Sequence, residues 1–172
     1  FYFGRPRSHL ALVALLATVA AVLTIRRNAD YRSVLRLWSD TVLKSPESAN
    51  VRFQLAWSLH QQGRSTEALE QWIAAERLAP DLPLLQHNLA QELLDIGRAA
   101  EAIPHFRTAL RSLPDSAPTL AGLGDALART GNVDAGIRYL QLAIRREPRY
   151  VNGHLMLGLV RFRAQQFADA AV

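Results

Sequence analysis

Five histidines, His9, His60, His87, His105 and His154, are the residues of this 172-residue chain best suited to hold a metal or move a proton. No two stand three or four residues apart, the spacing that brings two imidazoles to one turn of a helix. Cysteine is absent, which removes disulfides, thiolate metal ligands and thiol nucleophiles together. Serines and aspartates are scattered, and no serine has the glycine context of a nucleophile elbow. Gly122 and Gly124 come nearest to a phosphate loop, yet they lie inside a helical pattern. Glu67 and Glu70 are paired carboxylates at the expected start of a helix, where they favour the positive end of its dipole. These residues predict no catalytic group, no metal and no cofactor. Binding is the chemistry left.

The elements that would position a binding surface are written in a period. Pro46, Pro80, Pro114 and Pro148 stand 34 residues apart. Counting units from Ala49, Pro83, Ala117 and Val151, the seventh place is Leu55, Leu89, Leu123 and Leu157, and the eighth is Ala56, Ala90, Gly124 and Gly158. The fifteenth is Gly63, Gly97, Gly131 and then Gln165; the twentieth is Ala68, Ala102, Gly136 and Ala170. The twenty-fourth is Trp72, Phe106 and Leu140, and the twenty-seventh is Ala75, Ala109 and Ala143. Apolar residues three and four apart on both sides of a glycine spell two amphipathic helices joined by a tight turn. Small places let helix backbones approach, large ones fill the gaps, and each proline ends a second helix. Pro104 fits only within a first turn, so its helix is expected to begin at about Ala100.

These residues resemble the tetratricopeptide repeat over 49–172. The resemblance implies an all-α, right-handed solenoid: units at 49–82, 83–116 and 117–150, and a partial unit at 151–172 that ends early in its second helix. Val34, Leu35, Trp38, Val42 and Leu43 share a helical face ahead of the first unit and read as a lone second helix capping the stack. The resemblance further implies a concave groove lined by first helices at places two, five, nine, twelve and thirteen. Those are Asn50, Phe53, Trp57, His60 and Gln61; Leu84, His87, Gln91, Leu94 and Asp95; Pro118, Ala121, Asp125, Ala128 and Arg129; and Asn152, Leu155, Leu159, Phe162 and Arg163. Two readings of Phe53 and Trp57 stay open: they grip a partner, or they pack on the preceding half-unit. The family's clamp for acidic chaperone tails needs Lys and Asn where Phe53 and Trp57 stand, so that partner is excluded. An asparagine ladder at the sixth place is missing too, since Asn88 alone qualifies.

The net charge of +5 is unevenly placed. Residues 1–32 carry five Arg and one Asp, 33–128 eight basic and eleven acidic side chains, and 129–172 seven basic and three acidic. Arg145, Arg146 and Arg149 cluster without interleaved aromatics, which fits a solvated helix face better than a nucleic-acid surface.

Ahead of the repeats, Leu10 to Ile25 carries no charge, and with Ser8 and His9 the run reaches eighteen residues. Eighteen helical residues rise about 27 Å, close to a bilayer's hydrocarbon core. The expected order is a juxtamembrane segment over 1–7, a transmembrane helix over 8–25, and a linker with capping half-repeat over 26–48. A signal peptide and a buried soluble helix are the rival readings; Arg26 and Arg27 occupy the place a cleavage site would need. Leu37-Trp38, Thr41 and Ser45-Pro46 resemble the C-terminal part of membrane proteins related to repeat-containing protein O-mannosyltransferases. That resemblance implies repeats outside the cytoplasm, against a slight opposite lean from the flanking arginines. The chain opens on Phe1 and stops at Val172, and so reads as cut at both ends. The expected function is a membrane-tethered scaffold that binds a protein or peptide. The alternative is the non-catalytic tail of a glycosyltransferase.

Overall fold

The computed structural model describes residues 6–170, without the side chains of 6–12, 25–33 and 167–170. Among the described residues eight helices follow one another: α1 Pro6–Lys44, α2 Ala49–His60, α3 Ser65–Leu78, α4 Pro83–Asp95, α5 Ala99–Ser112, α6 Ala117–Arg129, α7 Val133–Arg146 and α8 Val151–Ala170. Among the described residues there is no strand. α2 pairs with α3, α4 with α5 and α6 with α7, and each pair stacks on the next. First helices also touch across units, α4 with α6 and α6 with α8, whereas no two second helices make a comparable contact. First helices therefore form the inner layer of the curve.

The punctuation has local causes. Gly63, Gly97 and Gly131 take φ of 71°, 83° and 92°, in the left-handed region open to glycine at low cost. Each lets the next N–H reach back over the helix end: Arg64 to the Leu59 carbonyl at 3.1 Å, Arg98 to Leu93 at 2.7 Å and Asn132 to Leu127 at 2.9 Å. The fourth unit has Gln165 at this place, and α8 runs on through it to Ala170. The second helix expected to have begun there is absent from the described residues. Each of the four periodic prolines stands two residues beyond the end of α1, α3, α5 or α7. α2 is capped by Ser48, whose Oγ accepts from the Val51 N–H at 3.4 Å. α4 and α6 carry proline in their first two positions instead.

α5 starts at Ala99, one residue before the expected point, so Pro104 stands sixth, just past the first turn. The bond it forgoes would have run to Ala100, which is exposed and can be hydrated instead. Of the two carboxylates Glu67 and Glu70, only Glu67 lies in the first turn of α3. There it receives the Arg64 guanidinium at 2.7 Å from Nε.

The core forms two clusters, one around Trp72 and Phe106 and one around Leu140, and partly buried Leu110 and Tyr139 pack against both. Trp72, Phe106 and Leu140, each fully buried, fill the gaps between units, and Ala56, Ala68, Ala75, Ala90, Ala102 and Ala143 are at zero exposure where backbones approach. Leu35, Trp38 and Val42 lie partly buried against the first of these clusters. Val34 and Leu43 do not join them; Leu43 is 82% exposed, because it falls a residue past the packed face. α1 is also unbroken, so the linker expected after residue 25 is helix. The Leu37 to Pro46 run has structural duties. Thr41 Oγ1 donates to the Leu37 carbonyl at 2.7 Å, the Ser45 N–H donates to Thr41, and Arg52 Nε donates to the Pro46 carbonyl at 2.8 Å.

Among the described residues, no helix is long and apolar enough to cross a membrane. The transmembrane helix expected over 8–25 is thus not shown. Its side chains at 8–12 and 25 lie outside those described, and residues 13–24 alone rise only about 18 Å.

Candidate functional site

Helices α2, α4, α6 and α8 carry every candidate binding residue except Gln61, which caps the C-terminal end of α2. At one end, Asn50, Phe53 and Leu84 border a cleft of about 220 Å³ completed by Leu82, Pro83 and Leu85. Phe53 turns inward and meets Trp72 edge to face, with ring centroids 4.9 Å apart at 77°. Trp57 does the opposite. It is 42% exposed and stacks on His60 at 5.6 Å and 28°. Phe53 thus packs on the second helix of its own unit, which is not the preceding half-unit, and Trp57 faces out.

His60 is held from below. One proton lies between its Nδ1 and Glu92 Oε2, 2.6 Å apart across α2 and α4. Glu92 is 2% exposed, and its Oε1 has no partner among the described residues. Removing such a carboxylate from water costs several kcal/mol by general estimates, so the bond to His60 is needed to keep it folded inside. Sequence reasoning missed Glu92, although a signal existed. It stands at the tenth place, where the other units have Ser58, Ala126 and Val160, and a charge in that register must find a partner.

The middle is a polar row. His87 is half-buried, with Nδ1 3.0 Å from Thr119 Oγ1 on α6 and its ring edge-on to Phe106 at 5.8 Å. Thr119 was likewise not foreseen. Gln91 Nε2 donates to Asp95 Oδ1 at 2.8 Å, and Gln61 is exposed. Leu94 and Ala121, expected to face the groove, are instead buried in the core at 1% and 0% exposure. Leu94 belongs to the cluster around Trp72 and Phe106, and Ala121 to the cluster around Leu140.

At the far end, Asp125 is buried and accepts from Arg129 Nε at 3.1 Å and from its terminal nitrogen at 2.8 Å. These two and Arg163 share a cavity of about 350 Å³ with Ala128, Val133, Val160 and Ala164. Asn152, Leu155, Leu159 and Phe162 are exposed on α8, and Pro118 is exposed on α6. The candidate residues therefore form an apolar end, a polar centre and a basic end. They do not converge on a single point.

No group of acidic, histidine or cysteine side chains among the described residues can hold a metal ion. His105 Nδ1 pairs with Gln86 Oε1 at 2.8 Å, and His154 Nε2 lies 2.9 Å from the Pro148 carbonyl, so both histidines are engaged locally.

Burial pushes the His87 imidazole below its ordinary value of 6.5. The folded state therefore holds His87 neutral where the unfolded chain would protonate it. Its stabilising effect is full above pH 6.5 and is lost as pH falls through that value towards the depressed one. His87→Gln keeps a partner for Thr119 and cannot titrate. In urea unfolding followed by circular dichroism at pH 7.5 and 5, the parent should lose more stability on acidification than this variant.

The described geometry is matched by known proteins. Among solved structures, a fragment described as MamA 41-end from Desulfovibrio magneticus RS-1 superposes with a TM-score of 0.74 at 21% identity, covering 92% of this chain and 89% of that one. A MamA double mutant gives 0.74 at 21%, covering 92% and 88%. YrrB, described as a TPR protein with an unusual peptide-binding site, gives 0.70 at 13%, covering 83% and 73%. Such low identities establish the fold alone. No curated protein matches the chain. The family model described as Tetratricopeptide repeat matches residues 17–149, more than half of the sequence. With its paired helices, left-handed glycine turns and small-residue crossings, the chain belongs to the tetratricopeptide repeat family.

Proposed function

We propose that this chain is a scaffold that holds an extended peptide or protein segment along its first helices. The observation that carries this reading is Trp57, a large aromatic left 42% exposed while its ring is fixed on His60 and, through it, on buried Glu92. An aromatic held rigid before binding loses little entropy on capture and makes a strong anchor. YrrB, which has a similar fold, is described as having a peptide-binding site, and this adds support. Trp57→Ala should weaken capture of the selected partner about tenfold or more with helicity unchanged. An affinity within twofold of the parent would count against the assignment.

We also propose that the start of α1 tethers the scaffold to a membrane. Val13, Leu15, Leu16, Val19, Val22 and Leu23 are 47–63% exposed, a burden no water-facing helix needs. The hydroxyls of Thr18 and Thr24 donate to the Ala14 and Ala20 carbonyls at 2.8 Å, so neither is left unpaired in an apolar medium. The 172-residue chain should float with phosphatidylcholine vesicles, and a Leu16→Asp, Val19→Asp variant should stay in the dense fraction. By the O-mannosyltransferase resemblance the repeats would lie outside the cytoplasm. The glycosyltransferase-tail alternative rests on the Leu37 to Pro46 run, whose residues already have structural duties.

A further inference from the structure

Building on the peptide-binding reading, we propose that the cavity among α6, α7 and α8 selects a partner segment in which an acidic side chain adjoins an apolar one. Ala128, Val133 and Val160 give the cavity of about 350 Å³ apolar walls, large enough for a leucine-sized group. Its polar groups are one carboxylate and two guanidiniums. The carboxylate, Asp125, is already covered by Arg129 through two contacts of 3.1 and 2.8 Å, so these charges cancel. Arg163 is exposed and has no partner among the described residues. Among the described residues, the balance at the mouth is one positive charge without a partner.

A ligand carboxylate can meet Arg163 without breaking any bond among the described residues, whereas Arg129 is already engaged by Asp125 and, through its other terminal nitrogen, by the Leu94 carbonyl at 3.5 Å. A ligand ammonium would have to displace Arg129 from a carboxylate that is 6% exposed, or face Arg163 directly. Both are unfavourable, and the second arginine adds repulsion. The preference is local to this end. The thirteenth place reads Gln61, Asp95, Arg129 and Arg163 along the stack, changing from neutral through acidic to basic. The same surface thus sets direction: a partner with an apolar aromatic-binding portion and an acidic portion has one favoured orientation, acid towards α8.

The test is selection from a random-peptide phage library on the full chain, on Arg163→Glu and on Trp57→Ala. Arg163 makes no bond among the described residues, so Arg163→Glu should keep the parent's circular dichroism. Binders of the parent should be enriched about threefold in Asp or Glu beside an apolar residue. Those of Arg163→Glu should lose that enrichment and gain Lys or Arg. Acidic enrichment that is absent, or unchanged in Arg163→Glu, overturns the inference while loss of binders in Trp57→Ala leaves the groove standing. A library yielding no specific binder on any variant removes the peptide-binding reading and this inference together.

Discussion

Trp72→Ala is expected to destabilise the first repeats by about 3–5 kcal/mol, the usual range for deleting a fully buried tryptophan. Trp72 is 1% exposed and joins the seam between α2 and α3 to the capping turns of α1, with Phe53 edge-on against it. The indole nevertheless carries a cost of its own, because its Nε1–H meets no acceptor among the described residues. A buried, unpaired N–H costs about 1–3 kcal/mol. Trp72→Phe removes that cost along with part of the volume, so it should lose less than about 1.5 kcal/mol. Urea midpoints for the two variants give the comparison. A loss from Trp72→Phe well above about 1.5 kcal/mol would count against an unpaired indole nitrogen.

Gly136→Leu is expected to cost about 3 kcal/mol or more, even though leucine is the better helix former by nearly 1 kcal/mol. A Cβ on Gly136 would stand 2.6 Å from the Gly124 carbonyl oxygen and 2.9 Å from the Ala128 Cβ. A Cβ on Gly124 would be as crowded, 2.8 Å from Leu140 Cγ and 2.9 Å from the Gly136 carbonyl oxygen. Two backbones would have to part, and α6 and α7 are the helices that carry Asp125 and Val133. Gly158→Ala is the control. Nothing lies within 4 Å of that position, so the substitution should stabilise α8 by about 0.5–1 kcal/mol. Thermal melts should move in opposite directions for the two changes. A stabilised Gly136→Leu would refute the close crossing.

Positions fixed by backbone sterics were the most legible in the sequence. Gly63, Gly97 and Gly131 predicted left-handed turns, and Ala102 or Gly136 predicted crossings, because few side chains can meet those demands. Repetition multiplied each weak signal. The partial fourth unit was misread by carrying the period past its warrant: with Gln165 in the glycine place, nothing halts α8. The cap was half legible. Leu35, Trp38 and Val42 pack as their spacing implies, while Leu43 was assigned to a face it does not reach.

The binding surface was harder to read, for a physical reason. A fixed list of inward places treats each unit alone, but side chains here bond between units. His60 with Glu92 and His87 with Thr119 each join residues 32 apart, two short of the period, because neighbouring first helices are offset along their axes. Leu94 and Ala121 are buried in the core, which a list of places counted unit by unit does not show.

The unbroken α1 has a mechanical consequence. From Thr24 to Trp38 the chain is helix without interruption, a strut of about 21 Å between the apolar stretch and the first repeat. A strut fixes both standoff and azimuth. One residue inserted into it would swivel the whole stack by about 100°, whereas a glycine-rich joint of equal length would transmit no heading at all.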